Sequence, residues 1–157
     1  FGTESLLADT DPVGGDDFAG KFRLAAAGAG FPAITAELSN SRTVQRSAVE
    51  SGVDGVWNVF RELGVVAESP TATPDQRLLR DDAPRVIAQT SGLFELQPDL
   101  RVGEAVTEGE ELGSVFDPSS FERLETVTAG ADGVIYSAAR GGVVVTGERI
   151  ASIATEP

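Results

Sequence analysis

The chain has 157 residues, 41% of them hydrophobic, which is room for one ordinary domain or two small ones around a buried core. Its 25 acidic residues outnumber 12 basic ones and give a net charge of -13, a field that repels phosphate backbones and anionic headgroups and so argues against nucleic acid and membrane partners. With no His and no Cys, the chain by itself excludes imidazole catalysis, His-ligated or thiolate-ligated zinc, and disulfides.

In chain order, residues 16–30 read as a helix, with Asp16 or Asp17 as N-cap, Phe18, Phe22 and Ala25 on one face, and Gly28 and Gly30 stopping it. Pro32 then opens a short apolar run at 33–38, compatible with a buried strand. A second helix is expected from about Val44 to Leu63. Val49, Val53, Val56, Trp57, Phe60 and Leu63 recur at steps of three and four along it, and Gly64 supplies the C-cap. Residues 67–76 have two prolines and no large apolar side chain, the composition of a linker.

Beyond Arg77 the helical period disappears. Short β-rich runs at 86–90, 93–96, 112–116, 127–129, 134–137, 143–146 and 150–153 alternate with glycines and predict a small barrel or sandwich. Gly109-Glu110-Glu111-Leu112-Gly113-Ser114-Val115 aligns with Gly147-Glu148-Arg149-Ile150-Ala151-Ser152-Ile153. Gly92-Leu93-Phe94 aligns in the same way with Gly133-Val134-Ile135. This internal repeat would close one barrel from two copies.

Few residues stand out chemically. Gly28-Ala29-Gly30-Phe31-Pro32-Ala33 matches a dinucleotide-binding pattern in the wrong context, since it ends a helix where phosphate binding needs one to begin. The acidic pairs Asp16-Asp17, Asp81-Asp82 and Glu110-Glu111 lack calcium-loop spacing and read as solvated carboxylates. Trp57 is expected in the core and Tyr136 in the barrel wall. Glu37 is the candidate for chemistry: it stands near the carboxyl end of the 33–38 strand, where α/β sheets place catalytic groups and where burial would make it a general base.

The excess of carboxylates, with Lys21 as the single lysine, suggests adaptation to molar salt, a halophilic source. No apolar run approaches the roughly 20 residues of a membrane span, and a cytoplasmic location is expected. The chain starts at Phe1 and contains no Met, so it reads as a piece of a longer protein.

Several stretches together resemble the succinylglutamate desuccinylase/aspartoacylase family. They are Phe31-Pro32-Ala33-Ile34-Thr35-Ala36-Glu37-Leu38, the helix end Val53-Asp54-Gly55-Val56-Trp57-Asn58-Val59-Phe60-Arg61-Glu62-Leu63-Gly64, Ala88-Gln89-Thr90-Ser91-Gly92-Leu93-Phe94 and Val106-Thr107-Glu108-Gly109-Glu110-Glu111-Leu112-Gly113. The resemblance covers most of the chain. It implies an α/β fragment, the end of a zinc carboxypeptidase-like catalytic domain (1–66), then the 67–76 linker and an all-β barrel-sandwich hybrid domain (77–157) of the biotinyl/lipoyl type. In that family the glutamate matching Glu37 is the general base that activates a zinc-bound water for amide hydrolysis.

The implied parent is a zinc-dependent deacylase of small N-acyl amino acids, whose zinc ligands, a His-x-x-Glu pair and a later His, are not in this chain. This piece alone should then be inactive. Arg23 and Arg42 flank the Glu37 strand but match no family motif, and Ser39-Asn40 stand where many relatives have glycine. Biotin or lipoate attachment is excluded, because residues 117–125 between the repeat copies contain no lysine. The competing reading is a non-catalytic binding or assembly module, and a homo-oligomer remains open.

Overall fold

The computed structural model describes residues 3, 5–8, 22–38, 43–71 and 76–157. These form two compact units: residues 5–8 with 77–157 make one, and the remaining described residues up to Gln76 make the other.

The smaller unit contains α1 (Phe22–Gly28) and α2 (Arg46–Glu62). Both helices end in the same way. After α1, Gly30 takes a φ of 80°, its N–H donates to Ala27 O (2.9 Å), and the N–H of Phe31 donates to Ala26 O (2.9 Å). After α2, Gly64 takes a φ of 67° while Gly64 and Val65 donate to Arg61 O and Phe60 O. A glycine suits each stop because this left-handed backbone is costly for any residue with a Cβ, even though the surrounding space is open, and the paired bonds satisfy the last carbonyls.

The apolar stripe of α2 forms as its period predicts, but it is not covered. Gly55 is the only buried residue of the helix, and Trp57, expected in the core, is 47% exposed, touching Phe60 edge-on at 5.9 Å. Phe22, expected on the packing face of its helix, is 85% exposed. Residues 33–38 pair with no strand among the described residues, contrary to expectation. The physical reason is common to all three: a strand needs neighbours and a helix stripe needs a layer to lie on, and the described residues of this unit supply neither. Residues 16–21 of the first expected helix lie outside the described residues. Asn58 binds the Pro-rich stretch through both amide atoms, donating to Thr71 O (3.0 Å) and accepting from Thr71 N (2.7 Å).

Among its described residues the larger unit has ten strands. These are β1 (Ser5–Ala8), β2 (Arg77–Arg80), β3 (Val86–Ile87), β4 (Gly92–Leu96), β5 (Ala105–Val106), β6 (Glu111–Phe116), β7 (Arg123–Thr128), β8 (Gly133–Ala138), β9 (Gly141–Val144) and β10 (Arg149–Ala154). Strands β1 and β2 pair in parallel as a small ribbon, and the others make two four-stranded sheets of order β3-β10-β8-β5 and β7-β6-β4-β9. The core lies between these two sheets and includes Phe94, Leu112, Val115, Ile135, Ile150 and Ile153. Alternation leaves Glu95 exposed beside Phe94, whereas β10 is buried from Ile150 to Ala154.

The two sheets share part of their registers, up to a bulge between Ser152 and Ile153 where β8–β10 shifts by one residue and β4–β6 does not. Phe94 pairs with Val115 and Gly92 with Val144 in one; Ile135 pairs with Ile153 and Gly133 with Val106 in the other. Two Gly-Glu turns match as well. At Gly109 (φ 84°) and Gly147 (φ 88°) the N–H donates to Ala129 O and to Ala88 O, each at 2.8 Å. The Glu110 and Glu148 carboxylates accept from Thr107 N (2.9 Å) and Val145 N (3.0 Å).

Candidate functional site

Glu37 stands in the 31–38 segment that leaves the Gly30 turn. Its neighbour Leu38 reaches α2 at Gly52, where an added Cβ would come within 2.9 Å of Leu38 Cδ1. Leu38, Val49, Gly52, Val53, Val56 and Trp57 line an apolar groove of about 470 Å³. The small glycine admits this close approach. Glu37 itself is exposed, not buried as expected for a general base. Arg23 is half-buried on α1, while Arg42 and residues 39–41 lie outside the described residues.

Zinc, which the family resemblance implies, finds no fitting donor set among the described residues. His and Cys are absent from the sequence, and the described residues contain no group of three or more acidic side chains placed to hold a metal. One lone carboxylate is a poor zinc site. No chemical step is therefore assigned to a metal held by these residues.

A polar cluster that sequence reasoning missed lies in the larger unit. Asp81, after β2, accepts from Arg85 Nη2 (2.6 Å) and from the Tyr136 hydroxyl of β8 (2.7 Å), and Arg85 Nη1 also donates to both. The Arg85 bonds hold the Asp81 carboxyl below its ordinary range. Partial burial opposes this, and the Tyr136 hydroxyl and the charges of Arg85 and Arg149 add to the lowering. The same partnership raises Arg85. No spacing rule would have found this cluster, since its members come from a loop and a strand 51 positions apart. It ties the β2–β3 connection to β8.

The β6–β7 hairpin, residues 117–122, is closed by Asp117. Its carboxylate accepts from the Ser119 hydroxyl (2.6 Å) and from the amides of Ser119 (2.8 Å) and Ser120 (2.9 Å), bonds that bring its pKa down to about 2. No helix among the described residues is long and apolar enough to cross a membrane.

No protein-family profile matches the sequence, and no curated protein matches it. Solved structures do match. A succinylglutamate desuccinylase/aspartoacylase from Rhodobacter sphaeroides aligns with a TM-score of 0.76 at 24% identity, over 88% of this chain and 44% of its own. The product-bound ectoine utilization protein EutE (DoeB) from Ruegeria pomeroyi aligns with a TM-score of 0.76 at 22% identity, over 89% of this chain and 43% of its own. A succinylglutamate desuccinylase from a Silicibacter species aligns with a TM-score of 0.72 at 22% identity, over 91% and 44%. The chain therefore has the fold of part of the succinylglutamate desuccinylase/aspartoacylase structures, and it spans less than half the length of each of these three.

Proposed function

We propose that the chain is the C-terminal portion of a deacylase that hydrolyses the amide bond of small N-acyl amino acids. The observation that carries this reading is a single fold match running through both the helical and the β unit, at a TM-score of 0.76 and over 88% of the chain. Glu37 is the proposed general base: it takes a proton from the hydrolytic water as that water attacks the amide carbonyl. Zinc, if the complete enzyme uses it, is held by residues outside this chain, and the chain alone is inactive. The exposed α2 stripe and the unpaired 31–38 segment support this reading, since both suit a layer of the catalytic domain that other residues complete.

Within the same reading, residues 77–157 are a barrel-sandwich hybrid of two repeat copies. The shared registers, 92–144 with 133–106 and 94–115 with 135–153, support it. So do the paired Gly-Glu turns. The test of the functional proposal is the sequence encoded upstream of Phe1. A His-x-x-Glu pair followed by a later His is the expected result. An upstream region without those ligands would favour a non-catalytic module instead.

A further inference from the structure

The chain passes through the larger unit twice. Residues 5–8 form β1, the chain then leaves for the smaller unit, and it returns at Arg77 to form β2 beside β1. The two strands run parallel, with Ser5 opposite Arg77 and Ala8 opposite Arg80. Parallel neighbours need a crossover connection of about a dozen residues or more, and residues 9–76 are that connection. The Pro-rich stretch at 67–76 is therefore not the sole link between the two units.

The two strands of the ribbon are held unequally. Leu79 of β2 is 1% exposed and packs on Val134 and Ala154. The N–H of Arg80 donates to Thr155 O (2.8 Å), its carbonyl accepts from Thr155 N–H (3.0 Å), and Arg77 Nη2 donates to Glu156 (2.8 Å). β2 is thus anchored on the end of β10. Among the described residues β1 pairs with β2 alone, and its Leu6 and Leu7 stay 44% and 40% exposed. Just ahead of the ribbon, Gln76 Nε2 donates to Thr3 O (2.8 Å) and continues the closure by one more contact.

We propose that β1 is a strap: by docking on the anchored β2 it closes the 9–76 connection into a loop, so that the Pro-rich stretch is no free hinge. The division of labour fits this role, because β2 carries the burial and the anchors while β1 adds a ladder of four residue pairs. A two-stranded ribbon of that length is marginal by itself, so the strap is closed in the native chain and is the first part of the β unit to open. The inference stands on the strand pairing and is independent of the enzymatic reading.

The chain has no cysteine, so a pair placed across the ribbon reports on the strap alone. Leu6 and Leu78 are register partners, both nearly half exposed, and strands about 4.8 Å apart bring their Cα atoms within disulfide range. In Leu6→Cys/Leu78→Cys the intramolecular disulfide should form about 10-fold or more faster in the native chain than in urea, where a long loop must close by chance. The oxidised and reduced forms should sediment alike, because the strap is already closed. Hydrogen exchange of the unaltered chain gives a second reading that no substitution disturbs. The β1 amides that donate in the ladder should exchange about 100-fold slower than those of residues 67–69, and about 10-fold or more faster than those of β10. A disulfide no faster in the native chain than in urea overturns the proposal, as does a clear rise in sedimentation coefficient on oxidation. Ladder amides as fast as those of 67–69 overturn it as well. So do ladder amides as slow as those of β10, since β1 would then be a core strand and not a strap.

Discussion

Gly133→Ala is expected to destabilise the β unit by about 2 kcal/mol, through overpacking and not through lost contact. A Cβ at this position would lie 2.5 Å from the Ala154 carbonyl oxygen and 2.7 Å from Ile153 Cγ2. Relaxed contacts between such atoms begin near 3.5 Å, so about 1 Å must be found in a backbone that the β8–β10 pairing holds in place. Gly92→Ala meets the same obstacle on the other sheet, 2.5 Å from Phe116 O and 2.7 Å from Val115 Cγ1, and should cost about as much. Gly109→Ala is the comparator: its Cβ enters open space at a φ of 84°, so only the left-handed backbone is penalised, by about 1 kcal/mol. For a unit of this size 2 kcal/mol is roughly 8–16 °C in melting temperature, readable by scanning calorimetry of the full chain. The reasoning fails if Gly133→Ala and Gly92→Ala melt within about 2 °C of the unaltered chain, or if one is neutral while the other collapses.

Asp81→Asn should lower stability by about 0.5–1 kcal/mol near neutral pH, a small effect because the Arg85 pair is partly exposed to water. Because the folded carboxyl titrates below its unfolded value, the stability it contributes is present above about pH 4 and is lost as pH falls through the folded pKa. The acid limb of a stability–pH curve should accordingly be shallower in Asp81→Asn, and an unchanged limb would refute the assignment. If the charge of -13 reflects a halophilic origin, the melting midpoint should rise from low salt into the molar range, and a flat or falling midpoint would remove that reading. The purified chain should hold no stoichiometric zinc, since it lacks imidazole and thiolate; one tightly held zinc per chain by elemental analysis would contradict this.

Much of the β unit was legible in the sequence because its long strands are aliphatic runs bracketed by glycines. The expected runs at 93–96, 112–116, 134–137 and 150–153 lie inside β4, β6, β8 and β10. The run at 86–90 shortens to β3, Val86–Ile87, because the next amides leave the ladder: Ala88 donates to Glu148 O, and Gln89 and Thr90 donate to the Glu125 carboxylate. Strand β5 has only two residues and β1 pairs with a segment 72 positions later, Ser5 with Arg77, so neither leaves a local signal. In the smaller unit both helix stops were legible from Gly30 and Gly64, whose role is local. The strand at 33–38 was not, because apolar content records what a segment could bury against and not whether a neighbour is present. Burial of Glu37 depended on that strand and is absent for the same reason.

The most direct measurement is deacylation of N-acyl amino acids by the complete enzyme and by its Glu37→Gln variant, with metal content and melting temperature determined in parallel. Gln is nearly isosteric, so shape, metal content and stability should be retained while kcat falls by about 10²- to 10⁴-fold, the range for loss of a general base. Near-normal turnover in Glu37→Gln would contradict the account: Glu37 would then be an ordinary exposed carboxylate, and the shared fold would carry no shared mechanism.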